Sequence, residues 1–239
     1  MDKKPIVTIV SAVYNEAASI EEIISESYNE ISKRVPCHIL IAEDGSTDGT
    51  REILLRLKKK YPMTLILGKQ KKGFQRAVID ALSSVKTPLA FFIDADLQWD
   101  PKDFWKLYKK IDDNDLVVGK KIIRRDLAFR KFLGWGFSKI VSLMFNLPIS
   151  DADSGYKLIK REVLRDVLPE IKTLKYGFQT ELTIRAFHKG YDVEEAYVNH
   201  RFRKDGTTRT FPLWRIPYVV SRTLINLIQL RNEIYNKKK

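Results

Sequence analysis

At 239 residues the chain suits one large domain, or one domain with an appendage, and 44% apolar against 31% charged residues is a soluble globular composition. A formal charge of +13 calls for an acidic partner: nucleic acid, an anionic membrane surface, or phosphate-bearing substrates. The single cysteine, Cys37, excludes an internal disulfide and fits a reducing, cytoplasmic setting, while His38, His188 and His200 lack zinc-ligand spacing.

The first half alternates strand and helix. Ile6–Val10 is apolar and β-branched, too short for a signal-peptide core, and a loop follows at Tyr14-Asn15-Glu16. Ser19-Ile20-Glu21-Glu22 reads as a capping box that opens a helix to about Lys33. Cys37–Ala42 is a second strand, followed by the turn-rich Glu43–Thr50 and a helix to about Tyr61 that Pro62 closes. Thr64–Leu67 is a third strand, and a helix runs from Gly73 to about Val85. Leu89–Ile93 is the fourth strand, Pro101 opens a helix to about Ile111, and Leu116–Val118 is the fifth strand.

Apolar strands separated by amphipathic helices predict an α/β fold with a mostly parallel sheet covered on both faces. Ligands then bind beyond the C-terminal strand ends. The loops Tyr14–Glu16, Glu43–Asp48 and Asp94–Gln98 should converge there. In Asp94-Ala95-Asp96 the two carboxylates share one side of an extended chain and repel unless a cation lies between them. Such oxygen ligands suit Mg²⁺ or Mn²⁺ shared with substrate phosphates, although aspartate is also common in an ordinary turn after a strand.

The second half is less regular. Phe129–Phe145 is aromatic-rich and basic, and Pro212–Tyr235 is amphipathic with Trp214, Tyr218 and interrupting arginines. Both read as membrane-surface segments; packing on the domain or in a dimer is the alternative. No run is apolar enough to span a bilayer. Deleting the chain from Pro212 onward is expected to leave the crevice folded.

Val10–Glu16, Glu43–Thr50, Asp94–Gln98, Asp151–Lys157, Gly177–Glu181 and Arg203–Arg209 together resemble the family 2 glycosyltransferases of GT-A fold, and within them the polyprenyl-phosphate (dolichyl-phosphate) sugar transferases. The resemblance spans about residues 5–210. It implies a catalytic domain over 1–210 and a membrane-surface helix with a basic tail over 211–239. It implies that Tyr14, Glu16 and Asp44 line the nucleoside pocket. Asp94, Asp96 and Gln98 would hold Mg²⁺ or Mn²⁺ and the diphosphate, with Asp96 the direct ligand. Arg130, Arg203 and Arg209 would grip donor or acceptor phosphates through their forked donors. Asp151 and Asp153 are acceptor-side candidates, equally explained as backbone caps. Glu181 is an acceptor-side or structural carboxylate.

Two departures stand out. Gly119-Lys120-Lys121 replaces the family's Gly-Ser-Arg, and Thr208-Arg209 replaces Ser-Lys. The implied activity is inverting transfer of a hexose from GDP-mannose or UDP-glucose to a polyprenyl phosphate. The enzyme would be peripheral on the cytoplasmic face of a membrane, with an anchoring partner or a second copy as further partners. A glycan hydroxyl acceptor, which needs a base at Asp151 or Asp153, is the second reading. A basic membrane-binding module is the third. Nucleic acid is not expected, because carboxylates occupy the strand ends.

Overall fold

The computed structural model describes residues 4–122, 128–174, 177–201 and 216–236, without the side chains of 128–132 and 216. In chain order the elements are β1 (Val7–Val13), α1 (Ile20–Ser32), β2 (Cys37–Glu43), α2 (Thr50–Leu57), β3 (Met63–Leu67), α3 (Phe74–Ser83), β4 (Leu89–Ile93), α4 (Phe104–Tyr108), β5 (Leu116–Lys121), α5 (Ala128–Phe145), β6 (Tyr156–Lys160), α6 (Arg161–Val167), α7 (Phe178–His188), β7 (Val193–Val198) and α8 (Ile216–Asn236). The strands form one sheet in the order β3-β2-β1-β4-β6-β5-β7. All pairings are parallel except those of β6, which runs antiparallel to β4 and β5.

β1 and β4 are buried at every residue because helices cover both sheet faces, which is why they read as continuous apolar runs. Val10, Ala12, Leu40 and Phe92 pack with α3 and α5–α8 on one face. Ile9, Val13, Ile39 and Phe91 pack with α1, α2 and α4 on the other.

Several boundaries depart from expectation. The capping box does not form: the Ser19 hydroxyl donates to the Glu16 carboxylate (2.9 Å) and caps no amide of α1. α2 ends at Leu57 rather than Tyr61. The segment after Pro101 is a 3-10 turn, Pro101–Asp103, followed by the short α4, which stops before Ile111. β6, α6 and β7 are additional elements.

The reversed strand decides what reaches the crevice. β1, β2, β4, β5 and β7 point their C-terminal ends at one edge of the sheet. β6 points its N-terminal end there, so the preceding loop Asp151–Gly155 arrives at the same edge. The Asp94 amide donates to the Gly155 carbonyl at 3.1 Å.

α8 combines both expected behaviours. Leu227, Leu230 and Ile234 are buried in the core shared with α3 and α7. Tyr218, Ile225 and Ile228 point outward. Glu233 accepts from the buried Arg185 of α7 (3.1 Å) and from the Thr173 hydroxyl. Deletion from Pro212 would therefore uncover core and strip Arg185 of a partner, so that truncation tests stability as well as membrane contact.

Candidate active site

The three loops expected to converge leave the same ends of the neighbouring strands β2, β1 and β4, and the first two are tied together by side-chain caps. The Asn15 amide donates to the Ser46 hydroxyl (3.0 Å), and the Thr47 amide donates to the Asn15 side chain (2.8 Å). The Glu16 amide donates to the Thr50 hydroxyl (2.9 Å). Buried Glu43 receives Arg51 (2.8 Å from Nε) and the Ser46 amide. Gly45, at φ 76, lies so close to the next loop that a Cβ there would stand 2.7 Å from the Gln70 carbonyl carbon.

Asp44, expected in the nucleoside pocket, is 3% exposed, and each carboxylate oxygen takes one amide from the loop before α3: Lys72 at 2.6 Å and Gly73 at 2.9 Å. Each oxygen keeps a second lone pair for a ligand N–H or O–H. Tyr14 lies beside it, with the Lys71 ammonium 3.7 Å from its ring centroid. A cation–π contact of this kind fixes one wall of the pocket.

Asp94, Asp96 and Gln98 are half-buried, while Ala95, Leu97 and Trp99 between them are buried, so the three polar side chains share the open side. Leu97 takes a left-handed φ of 60, a conformation costing about 1–2 kcal/mol that its buried side chain holds in place. The turn lets the Gln98 amide donate to Asp96 (3.1 Å). Burial, then the neighbouring Asp96 charge, push the Asp94 carboxyl up to about 7, against Lys121 and Lys157. Two carboxylates and an amide oxygen on one side make a donor set suited to a hard divalent cation. Among the described residues no group of three or more His, Cys, Asp or Glu could close round an ion.

Gly155 abuts this pair: a Cβ on it would stand 1.7 Å from Asp94 Oδ2. Asp151 is buried, and its amide donates to Glu195 (2.8 Å). Asp153 is exposed and accepts from the Thr180 hydroxyl (3.0 Å); desolvation of its carboxylate by the protein around it raises its carboxyl, against Lys157 and that hydrogen bond. Glu181 is fully buried and accepts the amides of Lys172 (3.1 Å), Thr173 (3.0 Å) and Leu174 (2.6 Å) together with Arg185 Nε (2.8 Å), which makes it a structural carboxylate.

Lys157 is a site residue to which the motifs assign no role. It is fully buried in β6, and its ammonium donates to the carbonyls of Ala152 (3.1 Å) and Ser154. Burial pulls it down to about 8, while Asp153, Asp151 and Asp94 hold it up. It is an internal counter-cation for the acidic floor. The one signal of it in the sequence is a lysine inside the apolar run Tyr156–Ile159. Lys121 lies over the Trp99 ring at 4.8 Å, and Lys120 pairs with Glu195 at 3.1 Å. The Arg130 side chain, Arg203 and Arg209 lie outside the described residues.

A model of the glycosyl transferase family 2 domain matches residues 8–168. The chain belongs to glycosyl transferase family 2. It is 29% identical over 213 residues to a dolichyl-phosphate beta-glucosyltransferase of Trichomonas vaginalis, covering 80% of this chain and 62% of that protein. It is 26% identical over 187 residues to a dolichol-phosphate mannosyltransferase of Pyrococcus furiosus, covering 75% and 52%. The chain spans 52% to 68% of the length of the curated relatives it matches. Among solved structures, glucosyl-3-phosphoglycerate synthase from Mycobacterium tuberculosis, in complex with Mn²⁺, UDP-glucose and phosphoglyceric acid, aligns with a TM-score of 0.75 at 16% identity, covering 96% of this chain and 80% of that one. The fold is therefore GT-A.

A proton on Asp94 and a cation compete for the same oxygens. With its folded value raised to about 7 from 3.8, Asp94 contributes stability that is present at low pH and lost as pH rises through about 7. The gain in melting temperature from added Mn²⁺ should therefore grow between about pH 6 and about pH 8. A gain independent of pH in thermal melts would exclude Asp94 as a ligand.

Proposed function

We propose that the protein is an inverting glycosyltransferase that moves a hexose from a nucleotide sugar, GDP-mannose or UDP-glucose, to a polyprenyl phosphate. The observation that carries this reading is the half-buried Asp94–Asp96–Gln98 row, placed beyond the strand ends and balanced from beneath by Lys157. The names of the relatives support a dolichyl-type phosphate as the acceptor.

Tyr14, Glu16 and Asp44 would receive the nucleoside. Asp94, Asp96 and Gln98 would orient the diphosphate and hold Mg²⁺ or Mn²⁺, which as a Lewis acid stabilises charge on the departing nucleoside diphosphate. An acceptor phosphate oxygen bonds to the anomeric carbon as the bond to the donor diphosphate breaks, which inverts that carbon. A phosphomonoester has its second pKa near about 6, so at neutral pH it is already largely a dianion and needs positioning rather than a base. Arg130, Arg203 and Arg209 are proposed to supply that positioning.

Purified protein with Mg²⁺ or Mn²⁺, radiolabelled nucleotide sugars and a polyprenyl phosphate should move label into the lipid fraction. No transfer from any common donor would overturn the reading.

A hydroxyl acceptor is the second reading, favoured by Asp153, which is exposed with a raised carboxyl. Under the phosphate-acceptor reading Asp153→Asn should lower kcat less than about tenfold, whereas loss of a general base costs roughly 100-fold or more.

We further propose that α5 and α8 bind a membrane on its cytoplasmic face. Arg231 Nε of α8 donates to the Met144 carbonyl of α5 (3.2 Å), so the two helices touch, and α5 exposes Trp135 and Leu143 as α8 exposes Tyr218, Ile225 and Ile228. No described helix is long and apolar enough to cross a bilayer. Replacing Tyr218, Ile225 and Ile228 together by serine should cut partition onto anionic liposomes at least about tenfold without lowering the melting temperature. Unchanged cosedimentation would refute the membrane contact.

A further inference from the structure

Gln179 lies in the first turn of α7 and is 6% exposed. Among the described residues neither its amide oxygen nor its amide nitrogen has a hydrogen-bond partner. A buried primary amide offers two donors and two acceptor sites, and leaving all of them unmet destabilises the free protein.

Its neighbours fix the direction it faces. Gln179 and Thr183 are four residues apart and share one helix face. Thr183 donates to the Ala152 carbonyl at 3.2 Å, between Asp151 and Asp153, and Thr180 donates to Asp153 at 3.0 Å. Helical side chains lean toward the N-terminus, so Gln179 lies one turn further along the Asp151–Gly155 loop. That loop touches Asp94 through Gly155.

The strand order then sets a sequence of subsites. The loops of β2 and β1 carry Asp44 and Tyr14, β4 carries the two carboxylates, and the loop before β6 with α7 comes next. A nucleotide sugar laid with its base on the first and its diphosphate on the second puts its hexose at the third. A phosphate offers only acceptors and would leave the amide oxygen unmet. A sugar's hydroxyls both donate and accept, and can satisfy both ends of the amide.

We infer that Gln179 is a specificity-determining residue that hydrogen-bonds hydroxyls of the transferred hexose. This rests on the glycosyltransferase reading above. The test uses the full chain with Mn²⁺, wild type and Gln179→Met, a swap of similar length that removes both polar ends. Calorimetry gives the affinity for GDP and UDP alone and for GDP-mannose and UDP-glucose, and thermal melts give stability.

In the variant, affinity for the diphosphate alone should stay within about twofold. Affinity for the preferred nucleotide sugar should fall roughly tenfold or more. The melting temperature of the free variant should equal or exceed that of the wild type, because a thioether tolerates burial that an unpaired amide does not. An undiminished preference for the nucleotide sugar would overturn the inference, as would equal weakening of both ligands. A lower melting temperature would also overturn it, by showing that the amide is partnered in the free protein. Wild-type protein that binds none of the four ligands would overturn the transferase reading, and this inference with it.

Discussion

Gly155→Ala should reduce sugar transfer by at least about 100-fold while the protein stays folded. The added Cβ would stand 1.7 Å from Asp94 Oδ2 and 2.4 Å from its carboxyl carbon, so Asp94 must leave its place. Asp94 has little room to yield, with buried Trp99 on one side and Asp96 beside it. The stability cost of such overpacking is about 1–3 kcal/mol, which a domain of this size can tolerate. The metal-dependent gain in melting temperature should disappear with the activity. A variant that transfers sugar normally would show that Asp94 is dispensable, and would leave Asp96 as the sole carboxylate candidate.

Lys157→Met should lower stability by about 3–5 kcal/mol, because it removes one side of a buried charge group and strands the rest. At this chain length that is a drop of roughly 10 °C in melting temperature. The pH dependence adds a second signature. The Lys157 ammonium is pulled down to about 8 from 10.5, so above about pH 8 the unfolded chain binds more protons than the folded one. Stability contributed by this site therefore rises with pH between those two values, and the variant should lack that rise. Chemical denaturation at several pH values would measure both. Equal stability of the two proteins would mean that the aspartates need no internal cation.

Much of the donor half is legible in the amino-acid sequence. The runs Val7–Val13, Cys37–Glu43 and Leu89–Ile93 are buried on both faces, and such strands announce themselves as unbroken apolar stretches. The alternation of Asp94, Asp96 and Gln98 follows from chain geometry alone. What is not legible is hidden for tertiary reasons. β7 carries Glu194 and Glu195 because it is an edge strand, and these carboxylates are bound by Asn114, Lys120 and Ser150 from distant segments. β6 is masked because Lys157 breaks its apolar pattern, and only the fold reveals the aspartates that justify a lysine there. Ser19 resembles a helix cap because spacing cannot show that Glu16 takes its hydroxyl. The ambiguity at Glu181 is resolved by the amides of Lys172, Thr173 and Leu174, which it holds in place.

The one reversed strand also bears on how such a catalyst can diversify. Among the described residues, those proposed to hold the nucleotide hang from β1, β2 and β4, whereas Gln179 and Asp153 hang from α7 and the loop before β6. The two sets meet at the seam where Gly155 touches Asp94. Away from that seam, the second set can exchange side chains without disturbing the first, so a lineage could change the sugar it delivers while keeping its carrier nucleotide. At the seam itself no such freedom exists, since any side chain at position 155 is felt at once by the carboxylate opposite.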